Sequence, residues 1–77
     1  MWQLVFSKRA DKQLSKMDPS VRRVIVSWLL KNVDRCKNPR MHGKGLICNR
    51  SGEWRYRVGD YLALCEIRDG ERVVLVL

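Results

Sequence analysis

Apolar and polar residues recur with two different periods along this chain, which predicts a helical first half and an extended second half. The segment Trp2–Phe6 is apolar and β-prone, and predicts a first strand. A helix is expected over 7–16, because Ser7 can cap its first turn. Three apolar residues share one face of that helix: Ala10, Leu14 and Met17. The basic residues of the segment are expected to face solvent: Lys8, Arg9, Lys12 and Lys16.

A second helix is predicted to begin at Asp18–Pro19, an N-cap residue followed by a proline suited to the first turn. It is expected to end at Asn38–Pro39, since a proline restricts the residue before it. Its predicted core face contains Val21, Val24, Ile25, Trp28, Leu29, Val33 and Cys36. The two helices are expected to form a hairpin, because only Met17 and Asp18 separate them. Residues 37–52 are predicted to form a glycine-containing loop.

Three strands are predicted over 53–58, 61–67 and 72–77, with two-residue turns at Gly59–Asp60 and Asp69–Gly70. The first turn sets three residue pairs opposite each other: Val58 with Tyr61, Arg57 with Leu62, and Arg55 with Leu64. One face suits packing on the helices: Trp54, Tyr56, Val58, Tyr61, Ala63, Cys65, Val74 and Val76. The sequence therefore predicts a single α+β domain over 1–77, in the order β-α-α-β-β-β, with the helices on one sheet face.

The opposite sheet face is expected to be part basic and part apolar. Arg55 and Arg57 lie on it together, beside an apolar set: Leu62, Leu64, Val73, Leu75 and Leu77. A free domain seldom exposes such a patch, so we expect a partner or further chain to cover it. Because the sequence stops on an apolar run, we also expect the natural C-terminal tail to be missing.

Sixteen Lys and Arg against eight Asp and Glu give a net charge of +8, which favours a phosphate-rich or acidic partner over a charge kept only for solubility. Cys36, Cys48 and Cys65 are widely spaced and form no CxxC pair, so reduced thiols and no metal or other cofactor are expected. No signal-peptide pattern is recognisable in the sequence, and no run approaches the roughly 20 apolar residues that span a bilayer. A cytoplasmic protein without a membrane partner is expected.

The run from Trp54 to Tyr61, W-R-Y-R-V-G-D-Y, resembles a segment of the RelE/ParE toxins of bacterial type II toxin–antitoxin modules, in a form that leans to RelE. Matching segments lie at 6–16, 38–40 and 43–46, so the resemblance spans the chain. It implies a ribosome-dependent mRNA endoribonuclease that acts on the message in the A site and inhibits translation. It also implies a cognate antitoxin as protein partner, bound in part by the exposed apolar set.

The resemblance assigns Arg55 and Arg57 to the active site, where planar guanidinium groups can hold an RNA phosphate and stabilise developing charge without a metal. Lys44, in the preceding loop, is a third catalytic candidate, for phosphate binding or proton transfer. Further phosphate contacts are expected from the loop residues Lys37, Arg40 and Arg50. His42 is a weaker candidate acid or base, because a lone loop histidine is more often incidental.

Two departures from the family pattern leave alternatives open. Leu62 stands where the family has an active-site arginine, and nothing follows Leu77 where the family continues with another basic residue and a tyrosine. One alternative is a ParE-like gyrase inhibitor that does not cut RNA. Another is a catalytically impaired toxin that mainly binds its antitoxin, with operator DNA bound only by that complex.

Overall fold

The computed structural model describes residues 1–45 and 52–77. Those residues form two α-helices and a five-stranded sheet, which confirms the α+β class and the β-α-α-β-β-β order. One short strand is added within the segment predicted as loop. In chain order the elements are β1 (Gln3–Phe6), α1 (Lys8–Ser15), α2 (Pro19–Asn32), a 3₁₀ turn (Pro39–Met41), β2 (Lys44–Gly45), β3 (Glu53–Val58), β4 (Tyr61–Arg68) and β5 (Val73–Val76).

Both helices begin where the sequence predicts. The hydroxyl of Ser7 accepts a hydrogen bond from the Ala10 N–H at 3.0 Å and caps α1. The Asp18 carboxylate accepts one from the Ser20 N–H at 2.9 Å, and Pro19 opens α2. The basic residues of the first helical segment are exposed, as expected: Lys8, Arg9, Lys12 and Lys16. Within the described residues, neither helix has the length and apolarity needed to cross a membrane.

The end of α2 differs from the prediction. The helix ends at Asn32, well before Asn38–Pro39. Arg35 then adopts a left-handed conformation with φ of 60°, and its N–H donates to the Trp2 carbonyl at 2.8 Å. The chain thus turns back against the N-terminal end of β1, and Cys36 lies half-buried beyond the helix instead of on its core face.

The predicted core face of α2 is also wrong at a position inside the helix. Val24 is 58% exposed. The buried side of the helix follows Ile25 and Leu29 and continues to Val33 at its C-cap, all 6% exposed or less. Each residue advances about 100° around a helix. Residues at intervals of four, such as Ile25, Leu29 and Val33, therefore share the buried side, and Val24 lies about 100° away from them.

The sheet has the strand order β1-β5-β4-β3-β2. β1 pairs with β5 in parallel, and this long-range pairing sets the first and last strands of the sequence side by side at one edge of the sheet. β3 and β4 pair antiparallel in the predicted register: Val58 opposite Tyr61, Arg57 opposite Leu62, and Arg55 opposite Leu64. β2 adds a short antiparallel edge beside β3.

The connection between β4 and β5 is longer than predicted. Arg68 pairs with Val73, so four residues, 69–72, lie between the strands instead of the two of Asp69–Gly70. Arg72 takes a left-handed φ of 54°, which keeps it out of the strand. A two-residue turn would pair Arg68 with Glu71, so the observed pairing with Val73 is shifted by two residues. Because this shift is even, the side chains of β5 stay on their predicted faces. Val74 and Val76 are buried on the helix side, as predicted.

The core lies between the helix hairpin and one sheet face. Its buried residues are Ala10, Ile25, Leu29, Val33, Tyr56, Val58, Cys65, Ile67, Val74 and Val76. Tyr56 is completely buried, which confirms its predicted packing role. Tyr61, predicted on the same face, is 44% exposed, because it starts β4 beside the exposed turn at Gly59–Asp60. Trp54 and Ala63 are half-buried against the core.

Candidate functional site

Arg55 and Arg57 lie two residues apart on β3, on either side of the buried Tyr56 in the sequence. Residues two apart in a strand share a face, so both arginines lie on the side away from the core. The Arg57 Nε donates a hydrogen bond to the Gly59 carbonyl at 3.1 Å. Among the described residues, neither guanidinium forms an ion pair with a carboxylate. Both charges therefore remain available to an anion.

Lys44 is brought to the same strand by the short pairing of β2 with β3, in which it lies opposite Arg55. Two side chains of β3 anchor the segment that precedes it. The Trp54 Nε1 donates to the His42 carbonyl at 2.7 Å, and the Tyr56 hydroxyl donates to the Pro39 carbonyl at 2.6 Å. The core-facing side of β3 thus holds the segment that carries Lys44 beside the arginines.

Gly43 makes this approach possible. Its φ is +80°, in the left-handed region that glycine tolerates best. A Cβ at this position would overlap the Arg55 carbonyl oxygen and would lie 2.6 Å from the Trp54 Nε1. Only a residue without a side chain therefore lets the loop pack this closely on β3 and present Lys44 next to it.

An open groove of about 640 Å³ collects these cations. Its lining consists of Trp28, His42, Gly43, Lys44, Arg55, Arg57, Asp60 and Leu62. Lys44, Arg55 and Arg57 supply positive charge, and Asp60 is the carboxylate among the described lining residues. The surplus of positive charge suits an oligoanion such as a nucleic-acid backbone.

The other predicted phosphate contacts are placed differently. The Arg40 guanidinium forms a two-pronged ion pair with Asp69, with N–O distances of 2.9 Å, and lies 6.0 Å from the centre of the Trp54 ring. This hydrogen bonding raises the pKa of Arg40 and lowers that of Asp69. Arg40 thus links the loop to the β4–β5 turn. Lys37 is exposed but does not line the groove, and Arg50 lies outside the described residues.

The predicted apolar set is divided between exposed and half-buried positions. Leu62, Leu64 and Leu77 are 57%, 49% and 43% exposed, whereas Val73 and Leu75 are half-buried. Leu62 lines the basic groove opposite Arg57. The three leucines also line a second, mainly apolar groove of about 140 Å³ that is shared with the helix hairpin.

Trp28 and His42 were not singled out from the sequence as parts of one site. The helical period placed Trp28 in the core, and His42 was an isolated loop residue. In the structure their rings meet edge to face, with centroids 5.6 Å apart, at the wall of the basic groove. No local sequence signal predicts this contact, because it depends on how the 37–43 loop folds over α2.

The thiols show no sign of a reactive site in the described part of the chain. Cys65 is buried, and desolvation raises its pKa to about 12. Desolvation also raises the pKa of the half-buried Cys36. Both residues are free cysteines. Within residues 1–45 and 52–77, no group of three His, Cys, Asp or Glu side chains is arranged to hold a metal ion.

Comparison with known proteins gives the family. A family model described as "ParE toxin of type II toxin-antitoxin system, parDE" matches residues 4–77. The chain belongs to this family. The ParE-family assignment confirms that it is a type II toxin of the RelE/ParE superfamily, as the resemblance in the sequence indicated. No curated protein sequence matches this toxin significantly.

Solved structures place the ParE-family chain close to chains of RelBE complexes. It is 26% identical to a chain of the toxin–antitoxin complex RelBE2 from Mycobacterium tuberculosis, with a TM-score of 0.85 over 99% of this chain and 91% of that one. It superposes on a chain of the intact E. coli RelBE toxin–antitoxin complex with a TM-score of 0.72 and 18% identity, over 99% and 90% of the two chains. The second likeness concerns the fold alone.

Proposed function

We propose that this toxin cleaves messenger RNA on the ribosome and thereby inhibits translation. The observation that carries the proposal is the grouping of Lys44, Arg55 and Arg57 along one groove, without carboxylate partners among the described residues. Like charges placed together repel unless an anion lies between them. A phosphodiester backbone supplies that anion, and the ribosomal A site presents a message to it.

The chemistry needs no metal, because RNA carries its own nucleophile. The 2′-hydroxyl oxygen attacks the adjacent phosphorus and the bond to the 5′-oxygen breaks, which leaves a 2′,3′-cyclic phosphate and a 5′-hydroxyl. Arg55 and Arg57 hold the non-bridging oxygens, where negative charge grows in the transition state. Lys44 gives a proton to the leaving 5′-oxygen, and the His42 imidazole can accept the proton of the 2′-hydroxyl.

We further propose a cognate antitoxin as the regulating partner in the cytoplasm. The two solved structures named above are toxin–antitoxin complexes. In this chain, the exposed leucines beside the helix hairpin offer an apolar surface that a partner segment would cover: Leu62, Leu64 and Leu77. An antitoxin seated there would lie next to the basic groove, because Leu62 lines both.

Mapping the ends of a defined message in a purified translation system tests the main proposal. The toxin is expected to produce new 5′ ends at ribosome-occupied codons, and none when ribosomes are omitted. Arg55→Gln should suppress them, whereas added antitoxin should abolish them. Inhibition of translation with an intact message would contradict the proposal.

A second function, inhibition of DNA gyrase without RNA cleavage, is favoured by one observation. Leu62 is 57% exposed and lies opposite Arg57, at the position where the resemblance implies an active-site arginine. An apolar side chain there suits a protein surface better than a phosphate. A supercoiling assay with the same toxin preparation distinguishes the two functions. Loss of gyrase activity at toxin concentrations that leave ribosome-bound message intact would favour this second function.

A further inference from the structure

The indole of Trp28 is an aromatic wall of the basic groove. Trp28 lies on α2 and is only half-buried, while its neighbour Leu29 is fully buried and fills the core. Tyr56 lies against one part of the indole at 5.7 Å between ring centroids, and His42 meets it edge to face at 5.6 Å. These contacts fix the orientation of the indole on the same groove that Arg55, Arg57 and Lys44 line.

We propose that Trp28 and His42 form a subsite that stacks a nucleobase of single-stranded RNA, next to the phosphate held by the cations. The inference rests on the proposed function and specifies its substrate: an unpaired nucleotide bound through both base and phosphate. Aromatic side chains and cationic groups in one groove are the combination by which proteins hold single strands, since every base has a stacking face. The volume of about 640 Å³ leaves room for a nucleotide between the aromatic wall and the cations.

The backbone at His42 is also held in place. Its carbonyl accepts the Trp54 indole hydrogen bond, and the adjacent Gly43 packs on β3. A pre-positioned aromatic pair loses little conformational freedom when a base binds. The subsite is therefore expected to add affinity for the base without adding dependence on salt, in contrast to the cations.

Binding of two uncleavable oligomers tests the subsite. One is a labelled 2′-O-methyl RNA of eight nucleotides, which lacks the attacking hydroxyl. The other carries the same number of phosphates but no bases. Trp28→Leu is expected to weaken binding of the base-bearing oligomer roughly 5- to 150-fold, as for the loss of one base stack, at unchanged salt slope. It should leave the abasic oligomer nearly unaffected, and Trp28→Phe should keep most of the affinity.

Two further variants serve as references. Trp2→Leu removes another half-buried tryptophan, remote from the groove, and should bind like the wild type. Arg55→Gln should weaken both oligomers and lower the salt slope by roughly 0.7, the value for one phosphate contact on a single strand. If Trp28→Leu fails to fold, the subsite is tested by His42→Ala, which should weaken binding of the base-bearing oligomer but not of the abasic one. The preference of the wild type for the base-bearing oligomer tests it as well.

The proposal is overturned if the wild type binds both oligomers equally, if it binds neither, or if Trp28→Leu weakens both alike. Failure of the subsite and failure of the proposed nuclease function give different results. A preference for the base-bearing oligomer, together with an intact ribosome-bound message, would support the subsite and contradict the nuclease function. Cleavage on ribosomes with no effect of Trp28→Leu on RNA binding would leave the nuclease and remove the subsite.

Discussion

The phenolic hydroxyl of Tyr56 donates a hydrogen bond to the carbonyl oxygen of Pro39 at 2.6 Å, across seventeen residues of sequence. The ring is completely buried, and this desolvation raises the pKa of the phenol. A single side chain therefore joins the core of the sheet to the loop that leads to Lys44. Stability and the placement of the candidate site are coupled at this residue.

Replacing Tyr56 with Phe is expected to remove this bond while keeping the ring. The Pro39 carbonyl would lose its partner in a buried setting, which costs about 1–3 kcal/mol. Urea unfolding should give a free energy of unfolding lower by that amount, with an unchanged slope against urea. Tyr61→Phe is the matched control: Tyr61 is 44% exposed, and removing its hydroxyl should change stability by less than about 0.5 kcal/mol. Equal effects of the two variants would contradict this role of Tyr56.

Alanine substitutions at three glycines distinguish the cost of backbone strain from the cost of steric overlap. Gly43→Ala faces both, because φ is +80° and the new Cβ meets the Arg55 carbonyl. Gly59→Ala faces strain alone, since its φ is +61° with open space around it, and should cost about 1–2 kcal/mol. Gly70→Ala faces neither and should be neutral or slightly stabilising. Thermal unfolding should rank the variants in that order, with Gly43→Ala the least stable. A Gly43→Ala protein as stable as Gly59→Ala would refute the close packing of the loop.

Local patterns were sufficient to predict the helix starts and the β3–β4 register. The effects of Ser7, Asp18 and the Gly59–Asp60 turn extend over only a few neighbouring residues, so the local sequence is enough to predict them. The parallel pairing of β1 with β5 and the short strand β2 depend on contacts between distant segments, and no local pattern predicts them. The same holds for the four-residue β4–β5 connection, where the left-handed Arg72 replaces the expected two-residue turn.

The candidate site was predicted in part for the same reason. Arg55 and Arg57 share a face through strand alternation alone, and Lys44 is a candidate through its position in the preceding loop. Trp28 was assigned to the core because a helical period identifies a face but not the edge of that face. Arg40 appeared as a free loop cation, because its partner Asp69 is twenty-nine residues away.

The Arg40–Asp69 pair predicts a pH dependence of folding stability. The guanidinium hydrogen bond lowers the pKa of Asp69 in the folded state below 3.8, so the folded state binds fewer protons in that range. The pair should stabilise the protein above pH 3.8 and lose this effect as pH falls through the lowered pKa. Wild type should be more stable than Asp69→Asn at pH 7, and urea unfolding should find the difference shrinking below pH 3.8.

The Arg40→Gln background provides the control for that titration. Without the guanidinium, Asp69→Asn should have no comparable pH-dependent effect on the free energy of unfolding. Because both side chains are exposed, the effect at pH 7 should also weaken in high salt. A difference that persists unchanged at acid pH or in the Arg40→Gln background would rule out the ion pair as its cause.

Leu62→Arg is expected to strengthen cleavage. It places a guanidinium opposite Arg57 on the lining of the groove, at the position where the resemblance implies an arginine. We expect roughly a tenfold or greater rise in the rate of message cleavage, since one well-placed donor at developing charge is worth roughly 10²–10³. Leu64→Arg adds the same charge opposite Arg55 but outside the groove lining, and should have little effect. Equal gains from both variants would indicate a general charge effect.

The role of Arg55 in cleavage is best measured as the single-turnover rate at which the toxin cuts a ribosome-bound message, compared for Arg55→Gln and Arg23→Gln. Both variants lower the net charge by one unit, but Arg23 is an exposed residue of α2 away from the groove. If Arg55 stabilises the phosphoryl transition state, its loss should slow cleavage roughly 10²- to 10³-fold, while Arg23→Gln stays near the wild-type rate. Equal rates for the two variants would contradict the account.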